Sequence, residues 1–474
     1  MSHKPICLKE LSFILPHKTC FEHFNTTIHS GAKIGIIGAN GSGKSTLLRI
    51  IQQLSLPSTG RVVVDEQIAF GFVSQLPEEA AGLSGAQQFN KSLTQALATD
   101  PDVLCLDEPT NHLDIHNRRS LMLMLQRCEK TLLIVSHDVE LLRTCIDTIW
   151  FINDGVVTVF DGNYDAFMDH QQVKRKQLDS KIVMLEKNER YARDELRRAQ
   201  ERSARRARAN KNENDRNLLG YLKRTGNRSL GKHQAMVGNI RDGIMRRRAL
   251  LYESEELIVH FEMLASRLRS KSGNVIEVLS GTVGYQELQP LITEINLLVR
   301  PGERVTLRGV NASGKSTIIK ALMNQVDIIK TGDWHLPKLE EIGYLDQHYK
   351  NLPAHETVFG VVQQISKLSG KELRVVLNDF LFRKNEEVNA LVSQLSGGER
   401  CRLALACIAL QQPSLLLLDE ATNNLDLQTR EYLIQVLTAY PGTVVVISHD
   451  EDFLQRINIS TNYEITAGKF LLRL

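Results

Sequence analysis

The sequence lacks the long apolar segments of membrane proteins and the leader of exported ones. Its longest uninterrupted apolar run, Leu403 to Leu410, is far shorter than the ~18 residues that a membrane helix requires. The first residues, Met1 to Pro5, include no apolar core of a secretory signal. We therefore expect a cytoplasmic protein with no membrane partner.

Cysteine is sparse, and its placement excludes a disulfide framework. The chain has seven cysteines among 474 residues, an odd number, and none of them forms a Cys-x-x-Cys pair. This pattern favours reduced thiols in a reducing compartment. Histidine and cysteine never cluster at the spacing of zinc ligands, so the sequence predicts no metal site built from these residues.

Negative charge is scarce in one part of the chain. Residues 171–250 carry 23 Lys and Arg but only 9 Asp and Glu, whereas the formal net charge of the whole chain is +3. The local balance is therefore +14, and the remaining residues together carry −11. A solvated spacer helix, the simplest alternative, normally mixes both signs. The excess instead predicts contact with a polyanionic partner.

What the sequence does contain is an internal repeat, which predicts two similar domains. Three blocks of residues occur twice, and the spacings between them agree. From Asp107 to His137 is 30 residues, and so is Asp419 to His449. The blocks are Gly38–Ser45 with Gly309–Ser316, Leu104–Asp114 with Leu416–Asp426, and Val135–Asp138 with Ile447–Asp450.

The two copies differ in length at one place. Gln75 and Ser84 are 9 residues apart, whereas Gln347 and Ser396 are 49 residues apart. The first copy is therefore about 40 residues shorter between these positions. In a repeat this regular, we expect the first domain to lack a region of about 40 residues that the second domain retains.

The segment between the copies is predicted to form an antiparallel helical hairpin. Apolar residues recur at coiled-coil spacing within 178–199 and again within 257–268, and residues 210–231 have the composition of a turn. Each helix of some 35 residues would extend roughly 50 Å at about 1.5 Å per residue. The predicted parts are therefore a first domain (1–170), a basic linker (171–270) and a second domain (271–474).

Each Gly-rich block has the context of a phosphate-binding loop, between a strand and a helix. In the first copy the strand is Lys33 to Ile37, and the helix begins near Ser45. Glycines let backbone amides curl around a phosphate, and the helix N-terminus favours an anion. We expect the lysine to contact the β- and γ-phosphates of ATP and the serine to ligate Mg²⁺. The predicted nucleotide-binding residues are Gly38, Asn40, Gly41, Gly43, Lys44, Ser45 and Thr46, with Gly309, Asn311, Gly314, Lys315, Ser316 and Thr317.

The second loop departs from the first at one position. Ala312 stands where the first loop has Gly41. If this residue needs a positive φ, the methyl group strains the loop, because only glycine adopts that conformation at no cost. We therefore expect a weakened or reshaped second site.

Acidic pairs end two apolar segments that are typical of buried parallel strands, Val103 to Leu106 and Leu415 to Leu418. Ligands of open α/β sheets bind at the carboxyl ends of such strands. We expect the aspartate of each pair to hold Mg²⁺ through water and the glutamate to orient or deprotonate the attacking water. The pairs are Asp107-Glu108 and Asp419-Glu420.

Three further repeated positions complete the candidate sites. A histidine follows a β-branched strand in both copies, and its identical offset favours a γ-phosphate contact over a structural role. A glutamine ends a short strand and suits contact with Mg²⁺ and water. A Ser-Gly turn opens a helix and offers amides to an anion. These residues are His137 and His449, Gln75 and Gln347, and Ser84-Gly85 and Ser396-Gly397-Gly398.

Together these motifs resemble those of the ATP-binding-cassette superfamily, over nearly the whole chain outside the linker. The resemblance implies an α/β fold with two tandem P-loop domains in a head-to-tail sandwich. Site one would then combine the first Gly-rich loop with Ser396 and Gly397, and site two the second loop with Ser84 and Gly85.

The resemblance also implies an aromatic side chain stacked on each adenine, about 25 residues before the loop. Tyr285 fits this role in the second copy. In the first copy Phe13 is the candidate, although Ile14 occupies the closer alignment.

Two fused cassettes with a basic helical linker look like the ABC-F subfamily of ribosome-associated ATPases. The resemblance implies a monomeric ATPase that uses ATP and Mg²⁺ and whose linker enters the ribosome near the E site, beside rRNA and tRNA. The shortened first copy is similar to the branch that protects ribosomes from antibiotics. Three alternatives stay open: the ATPase subunit of a membrane transporter, a general translation factor without a resistance role, and a DNA-acting ATPase.

Overall fold

The computed structural model describes most of the chain outside the basic linker. Residues Met1–Tyr164 and Leu257–Leu474 form one compact unit, and residues Asp165–Glu256 form another. We call residues 3–164 the first module and residues 273–473 the second module. Among the helices that can be described, none combines the length and apolar character of a membrane span. The described residues are 3–15, 18–74, 85–111, 113–209, 273–286, 289–346, 349, 351–423 and 425–473.

The first module begins with antiparallel strands and continues with alternating strands and helices. Its elements are β1 (Ile6–Leu15), β2 (Lys18–Ile28), β3 (Lys33–Gly38), α1 (Lys44–Ile51), β4 (Thr59–Val63), β5 (Phe70–Val73), α2 (Gly85–Ala98), β6 (Val103–Asp107), α3 (Ile115–Arg127), β7 (Thr131–Val135), α4 (Val139–Cys145), β8 (Thr148–Asn153) and β9 (Val156–Asp161). The central sheet has the order β5-β6-β7-β3-β8-β9, and only β8 and β9 pair antiparallel.

The second module repeats this plan and adds helices before its Ser-Gly turn. Its elements are β10 (Ile276–Gly284), β11 (Ile292–Val299), β12 (Arg304–Gly309), α6 (Lys315–Leu322), β13 (Ile329–His335), β14 (Ile342–Leu345), α7 (Val358–Ile365), α8 (Gly370–Asp379), α9 (Asn385–Asn389), α10 (Gly397–Gln411), β15 (Leu415–Asp419), α11 (Leu427–Ala439), β16 (Thr443–Ile447), α12 (Glu451–Arg456), β17 (Thr461–Thr466) and β18 (Lys469–Arg473). Short 3₁₀ turns span Leu339–Glu341 and Val392–Gln394. We call the turn predicted at Ser84-Gly85 the first signature turn and the turn at Ser396-Gly397 the second signature turn.

Equivalent strands occupy equivalent places in the two modules. The order β14-β15-β16-β12-β17-β18 matches the central sheet of the first module, and β11-β10-β13 matches the antiparallel sheet β2-β1-β4. In each module an apolar core fills the space between the antiparallel strands, the helix after the Gly-rich loop (α1 or α6) and the central sheet. The predicted fold class, two tandem α/β P-loop domains, is confirmed.

The helix that follows the shortened segment of the first module differs in polarity from its counterpart in the second module. In the second module the helix α10 buries Leu403, Ala406 and Cys407 in a core shared with α7, α8 and α9. The repeat spacing of 312 residues places Lys91, Thr94 and Gln95 at the same positions of α2, where all three are exposed. Polar residues therefore replace apolar ones where no helix covers them in the described first module.

The linker begins as one long helix, α5 (Tyr164–Ala209), of 46 residues. Its length corresponds to about 69 Å at 1.5 Å per residue. Ile182, one of the predicted seam residues, is buried. The predicted turn (210–231) and the return helix (257–268) lie outside the described residues, so the hairpin stays a prediction.

Candidate nucleotide-hydrolysis sites

Both Gly-rich loops connect a central strand to a helix, as the sequence predicts. The first loop runs from the end of β3 to α1, which begins directly after Gly43 in the left-handed conformation at φ 95°. Gly38 adopts φ 154°, and a Cβ atom there would lie 2.5 Å from the carbonyl oxygen of Ile152. Any side chain at this position would therefore collide with the backbone of β8.

Each loop wraps around the lysine that opens its helix. Lys44 Nζ donates to the carbonyl oxygens of Gly38 (2.8 Å) and Ala39 (3.0 Å). In the second loop Lys315 Nζ donates to Gly309 (2.9 Å) and Val310 (3.0 Å). Burial lowers the pKa of both lysines. These ammonium groups are thus held inside the loops where the phosphates of ATP are predicted to bind.

Ala312 adopts the conformation that the sequence analysis identified as costly. Its φ is 63°, close to the 74° of Gly41 in the first loop. A Cβ atom built on Gly41 would meet only Lys18 Nζ, at 3.6 Å. The penalty at Ala312 therefore arises from its own backbone conformation, which costs an L-residue about 1–2 kcal/mol.

The serine after each lysine faces the aspartate that ends an apolar strand of the central sheet, β6 or β15. Ser45 Oγ donates to Asp107 Oδ1 at 3.1 Å, and Ser316 Oγ donates to Asp419 Oδ1 at the same distance. Burial raises the pKa of Asp107, and it raises the pKa of Asp419 to about 6. A neighbouring cation would offset the cost of keeping these carboxylates charged.

The hydroxyl and carboxylate oxygens suit Mg²⁺, which prefers one or two carboxylates together with substrate phosphates. Within the described part of the chain, no group of three or more His, Cys, Asp or Glu residues could hold a metal ion by itself. The donor set therefore fits a cation that is bound together with a nucleotide.

The two candidate catalytic glutamates share an unusual backbone conformation. Glu108 has φ 51° and Glu420 has φ 50°, although neither is a glycine. The backbone N–H of each donates to the next strand, to the carbonyl of Val135 (2.8 Å) or Ile447 (2.9 Å). Strain of this kind costs roughly 1–3 kcal/mol and persists only where the surroundings enforce it. Both copies of the motif share this conformation.

Each glutamate lies beside the repeated histidine of its own module. The distance from His137 Nε2 to Glu108 Oε1 is 3.4 Å, and that from His449 Nε2 to Glu420 Oε1 is 3.8 Å. Neither approach has hydrogen-bond geometry, and the ring nitrogens of both histidines are buried without a partner. Burial lowers the pKa of both imidazoles, so they are neutral at pH 7. Neutral rings with an unused N–H suit a contact with a phosphate oxygen.

The first site is more enclosed than the second. The Glu108 side chain is 10% exposed, whereas that of Glu420 is 25% exposed. Burial raises the pKa of Glu108 to about 8. In the second site, Asn423 Nδ2 donates to Glu420 Oε2 at 2.8 Å and satisfies part of the carboxylate. The two repeated glutamates therefore have different surroundings.

The loop after each acidic pair reaches the opposite module. Asp426, in the second module, accepts a 3.1 Å hydrogen bond from the backbone N–H of Asn40 in the first Gly-rich loop. The same carboxylate accepts from Thr429 N at 2.8 Å and so caps α11. In the other direction, the charge of Asp114 raises the pKa of Lys315, although burial is the larger effect and lowers it.

Asp426 also lies beside the second signature turn. A Cβ atom on Gly398 would be 2.7 Å from Thr429 Oγ1 and 3.7 Å from Asp426 Oδ2. Ser396 caps α10 through a capping box with Glu399, and Gly397 has open space around it. Asp426 therefore binds the first Gly-rich loop and lies beside the N-terminus of α10, which is consistent with a head-to-tail sandwich.

The aromatic candidates differ between the modules. Tyr285 is half exposed, its hydroxyl is 3.3 Å from Thr317 Oγ1, and Lys320 Nζ lies 5.8 Å from the ring centroid. It is thus a partly exposed ring beside the helix that follows the second loop. Phe13 instead packs against Phe21 in the core of the first module, with ring centroids 6.2 Å apart. The residues after it, Ile14 and Leu15, are exposed and aliphatic, so Phe13 does not match Tyr285 in placement.

Several predicted residues lie outside the part that the structure describes. These are Gln75, Gln347 and Ser84, and they stay predictions. Gly85 is described as the first residue of α2. The first signature turn therefore stays a prediction.

Sequence reasoning missed the residues that connect the modules. Asp114 and Asp426 lie in a repeated block, and their role as helix caps and cross-module contacts needed the structure. Arg118 and Arg430 each follow such an aspartate by four residues and are buried. The repeat itself was the signal that could have identified them.

The comparisons with known proteins agree with this geometry. The family model described as ABC transporter matches residues 21–72 and 292–423, and an AAA domain model matches residues 84–143. The ribosome protection protein VmlR of Bacillus subtilis is 28% identical over 95% of this chain and 85% of its own length.

Two further relatives are named as ATP-binding proteins. The ATP-binding protein Uup of Buchnera aphidicola is 29% identical over 94% of this chain and 78% of its own length. An ATP-binding cassette sub-family F member 3 homolog of Encephalitozoon cuniculi is 27% identical over 90% of this chain and 74% of its own length. The two P-loop modules and the paired Asp-Glu sites are those of an ATP-binding-cassette ATPase, and these relatives are of the ABC-F type.

Proposed function

We propose that this ATPase binds the ribosome in the cytoplasm and acts on translation, with protection of the ribosome from antibiotics as its specific role. The observation that carries the proposal is the basic helix inserted between two complete nucleotide-binding modules. Residues 197–209, at the end of α5, carry six Arg and a single acidic residue. Ribosomal RNA is a polyanion with which such a helix would form many phosphate contacts.

The similarity to VmlR supports the specific role. That relative is named a ribosome protection protein, and its similarity extends over both modules and the linker. A general translation factor is the second candidate, because the ATP-binding protein Uup matches the chain over nearly the same extent and its name includes no protective role. The two candidates predict the same chemistry and the same binding surface, and they differ only in whether a drug is needed for the effect.

ATP and Mg²⁺ are the proposed cofactors at both sites. Bound Mg²⁺ would neutralise charge on the β- and γ-phosphates, and Ser45 with Asp107, or Ser316 with Asp419, would hold it. The lysine of each loop binds the phosphates, and the glutamate positions the attacking water. His137 and His449 offer a neutral N–H to the γ-phosphate. Each site is complete only when the opposite signature turn closes it, so hydrolysis requires the two modules to stay together.

A sedimentation experiment tests the proposal. The double variant Glu108→Gln, Glu420→Gln should bind ATP without hydrolysing it, and should therefore accumulate on ribosomes when ATP is present. The matched control is the same protein with ADP, which should leave it largely in the supernatant. Sedimentation with membranes or with free DNA, and not with ribosomes, would instead support the transporter or DNA-acting alternatives.

Drug susceptibility separates the two candidates. Expression of the wild-type chain in a sensitive host should raise the inhibitory concentration of a macrolide, lincosamide, streptogramin or pleuromutilin. Ribosome association without protection against any of the four classes would contradict the resistance role and leave the general translation role.

A further inference from the structure

A buried arginine crosses from the first module to the histidine of the second site. Arg118, on α3, is only 8% exposed. Its NH1 donates to the backbone carbonyl of His449 at 2.7 Å, and its NH2 donates to Asp138 Oδ1 at 2.6 Å. Asp138 directly follows His137 of the first site. One guanidinium therefore bridges the segments that carry the two candidate γ-phosphate contacts.

The equivalent arginine of the second module makes a different set of contacts. Arg430 Nε and NH2 donate to the two carboxylate oxygens of Asp450, at 2.8 and 3.0 Å. Its NH2 also donates to Asp452 at 2.8 Å. Both partners lie in the same module as Arg430, which forms a two-pronged pair with Asp450. Arg118 contacts Asp138 through NH2 alone, and this leaves its NH1 for the opposite module.

The cross-module bond lies where it can influence hydrolysis. A cavity between the modules is lined by residues of both sites, among them Glu108, Glu420, His137 and His449, together with Arg118. The bond fixes the carbonyl of His449, whose ring lies 3.8 Å from Glu420. Because the donor belongs to the other module, the bond exists only while the modules are together.

We infer that Arg118 is a positioning residue for the second site, acting through the backbone of His449 from the first module. In this arrangement the backbone of His449 is held in the position for hydrolysis only while the first module contacts the second. The coupling runs only from the first module to the second site, because Arg430 forms its hydrogen bonds within its own module. This goes beyond the proposed ribosomal role and concerns the ATPase cycle itself.

Single-site variants make the inference testable. Glu108→Gln leaves the second site as the working site, and Glu420→Gln leaves the first. Introducing Arg118→Gln should lower kcat about tenfold in the Glu108→Gln background, the size expected for a lost charge-assisted hydrogen bond. In the Glu420→Gln background kcat should fall by no more than about threefold, because Asp138 keeps its bond from Leu141 N (3.1 Å). The KM for ATP should stay unchanged in both.

A merely structural role predicts the opposite pattern. Arg118 belongs to the first module and pairs with Asp138, the residue after His137. Loss of a purely local contact would therefore lower kcat at the first site at least as much as at the second. Equal losses in the two backgrounds, or a larger loss in Glu420→Gln, would overturn the inference. An unchanged kcat in both backgrounds would also overturn the inference.

Two further variants control for charge and folding. Arg143→Gln removes another cross-module ion pair, to Asp452 at 3.5 Å, without touching His449, and should leave both backgrounds unchanged. Arg118→Lys keeps the charge but offers one point donor, so it should restore part of the lost kcat in the Glu108→Gln background. If Arg118→Gln unfolds, Arg118→Lys carries the same comparison, and equal losses in both backgrounds would again contradict the inference.

Discussion

At the scale of single residues, the glutamates after β6 and β15 combine strain with enclosure. Both adopt a left-handed φ, and burial raises the pKa of Glu108 to about 8. Strain of this kind persists only where the surrounding structure enforces it, and both copies of the motif show it. The sequence places these residues at the end of a strand but does not reveal the conformation.

The first prediction concerns these two glutamates. Glu108→Gln with Glu420→Gln should lower kcat for ATP by at least about a hundredfold, because glutamine keeps the shape of the side chain but cannot accept a proton. ATP affinity should change little, since the substitution acts on the transition state. Phosphate release and equilibrium nucleotide binding measure the two quantities. Undiminished turnover would contradict the assignment.

The second prediction concerns Ala312, whose φ is 63°. The free loop can relax away from this conformation, and the relaxed form competes with binding of phosphate. Ala312→Gly should therefore raise ATP affinity at the second site by up to about fivefold, the equivalent of 1 kcal/mol. Titration with a fluorescent ATP analogue measures the change.

Gly41→Ala is the matched control for this substitution. It imposes the same backbone strain on the first loop, where the added methyl would meet only Lys18 Nζ at 3.6 Å. ATP affinity at the first site should fall by a similar factor. If neither variant alters affinity, the left-handed conformation has no consequence for binding, and the expected inequality of the sites loses its basis.

At the scale of elements, sequence periodicity predicted the strands and helices that position the chemistry. Strand β3 extends the predicted Lys33 to Ile37 by one residue, and β6 and β15 include the predicted apolar runs and end on the aspartate. These elements are local and repeat twice, which is why the pattern sufficed. Contacts such as Asn40 with Asp426 join residues far apart in the chain, and no local pattern encodes them.

The third prediction tests the different environments of α2 and α10. Leu403 is fully buried in α10, whereas Lys91 occupies the same position of α2 and is exposed. Leu403→Lys should destabilise the protein by at least about 3 kcal/mol, because it buries a charge with no partner. Lys91→Leu should change stability by no more than about 0.5 kcal/mol, as surface substitutions usually do. Chemical denaturation compares the two, and a similar loss for Lys91→Leu would show that Lys91 makes a stabilising contact and is not a simple surface residue.

At the scale of the whole molecule, charge separates the linker from the modules. Residues 171–250 carry a balance of +14 in a chain whose net charge is +3. The excess of acidic residues outside the linker repels polyanions and limits unspecific binding. The basic linker attracts polyanions to one element of the molecule. Under the proposed function, the modules hydrolyse ATP and the linker binds the partner on which this activity acts.

The last prediction follows from this separation. If the linker neutralises phosphates of ribosomal RNA, affinity for ribosomes should fall steeply with salt, by roughly 0.7 to 0.9 log units per contact for each log unit of salt. Changing Arg205, Arg206 and Arg208 to Glu should remove up to three contacts and should flatten the salt dependence by about two log units. Basal ATPase activity should stay unchanged, because none of the three belongs to a hydrolysis site.

Changing the same three residues to Lys is the matched control, because the charge is retained. This variant should keep the salt dependence of the wild type, since counterion release depends on charge more than on the shape of the donor. Ribosome pelleting over a series of salt concentrations measures both variants. Binding that ignores salt and the charge reversal alike would show that the linker is a spacer, and the partner would then have to be held by the modules. A loss of binding in the Lys variant would instead indicate that the flat, two-pronged guanidinium is read by shape.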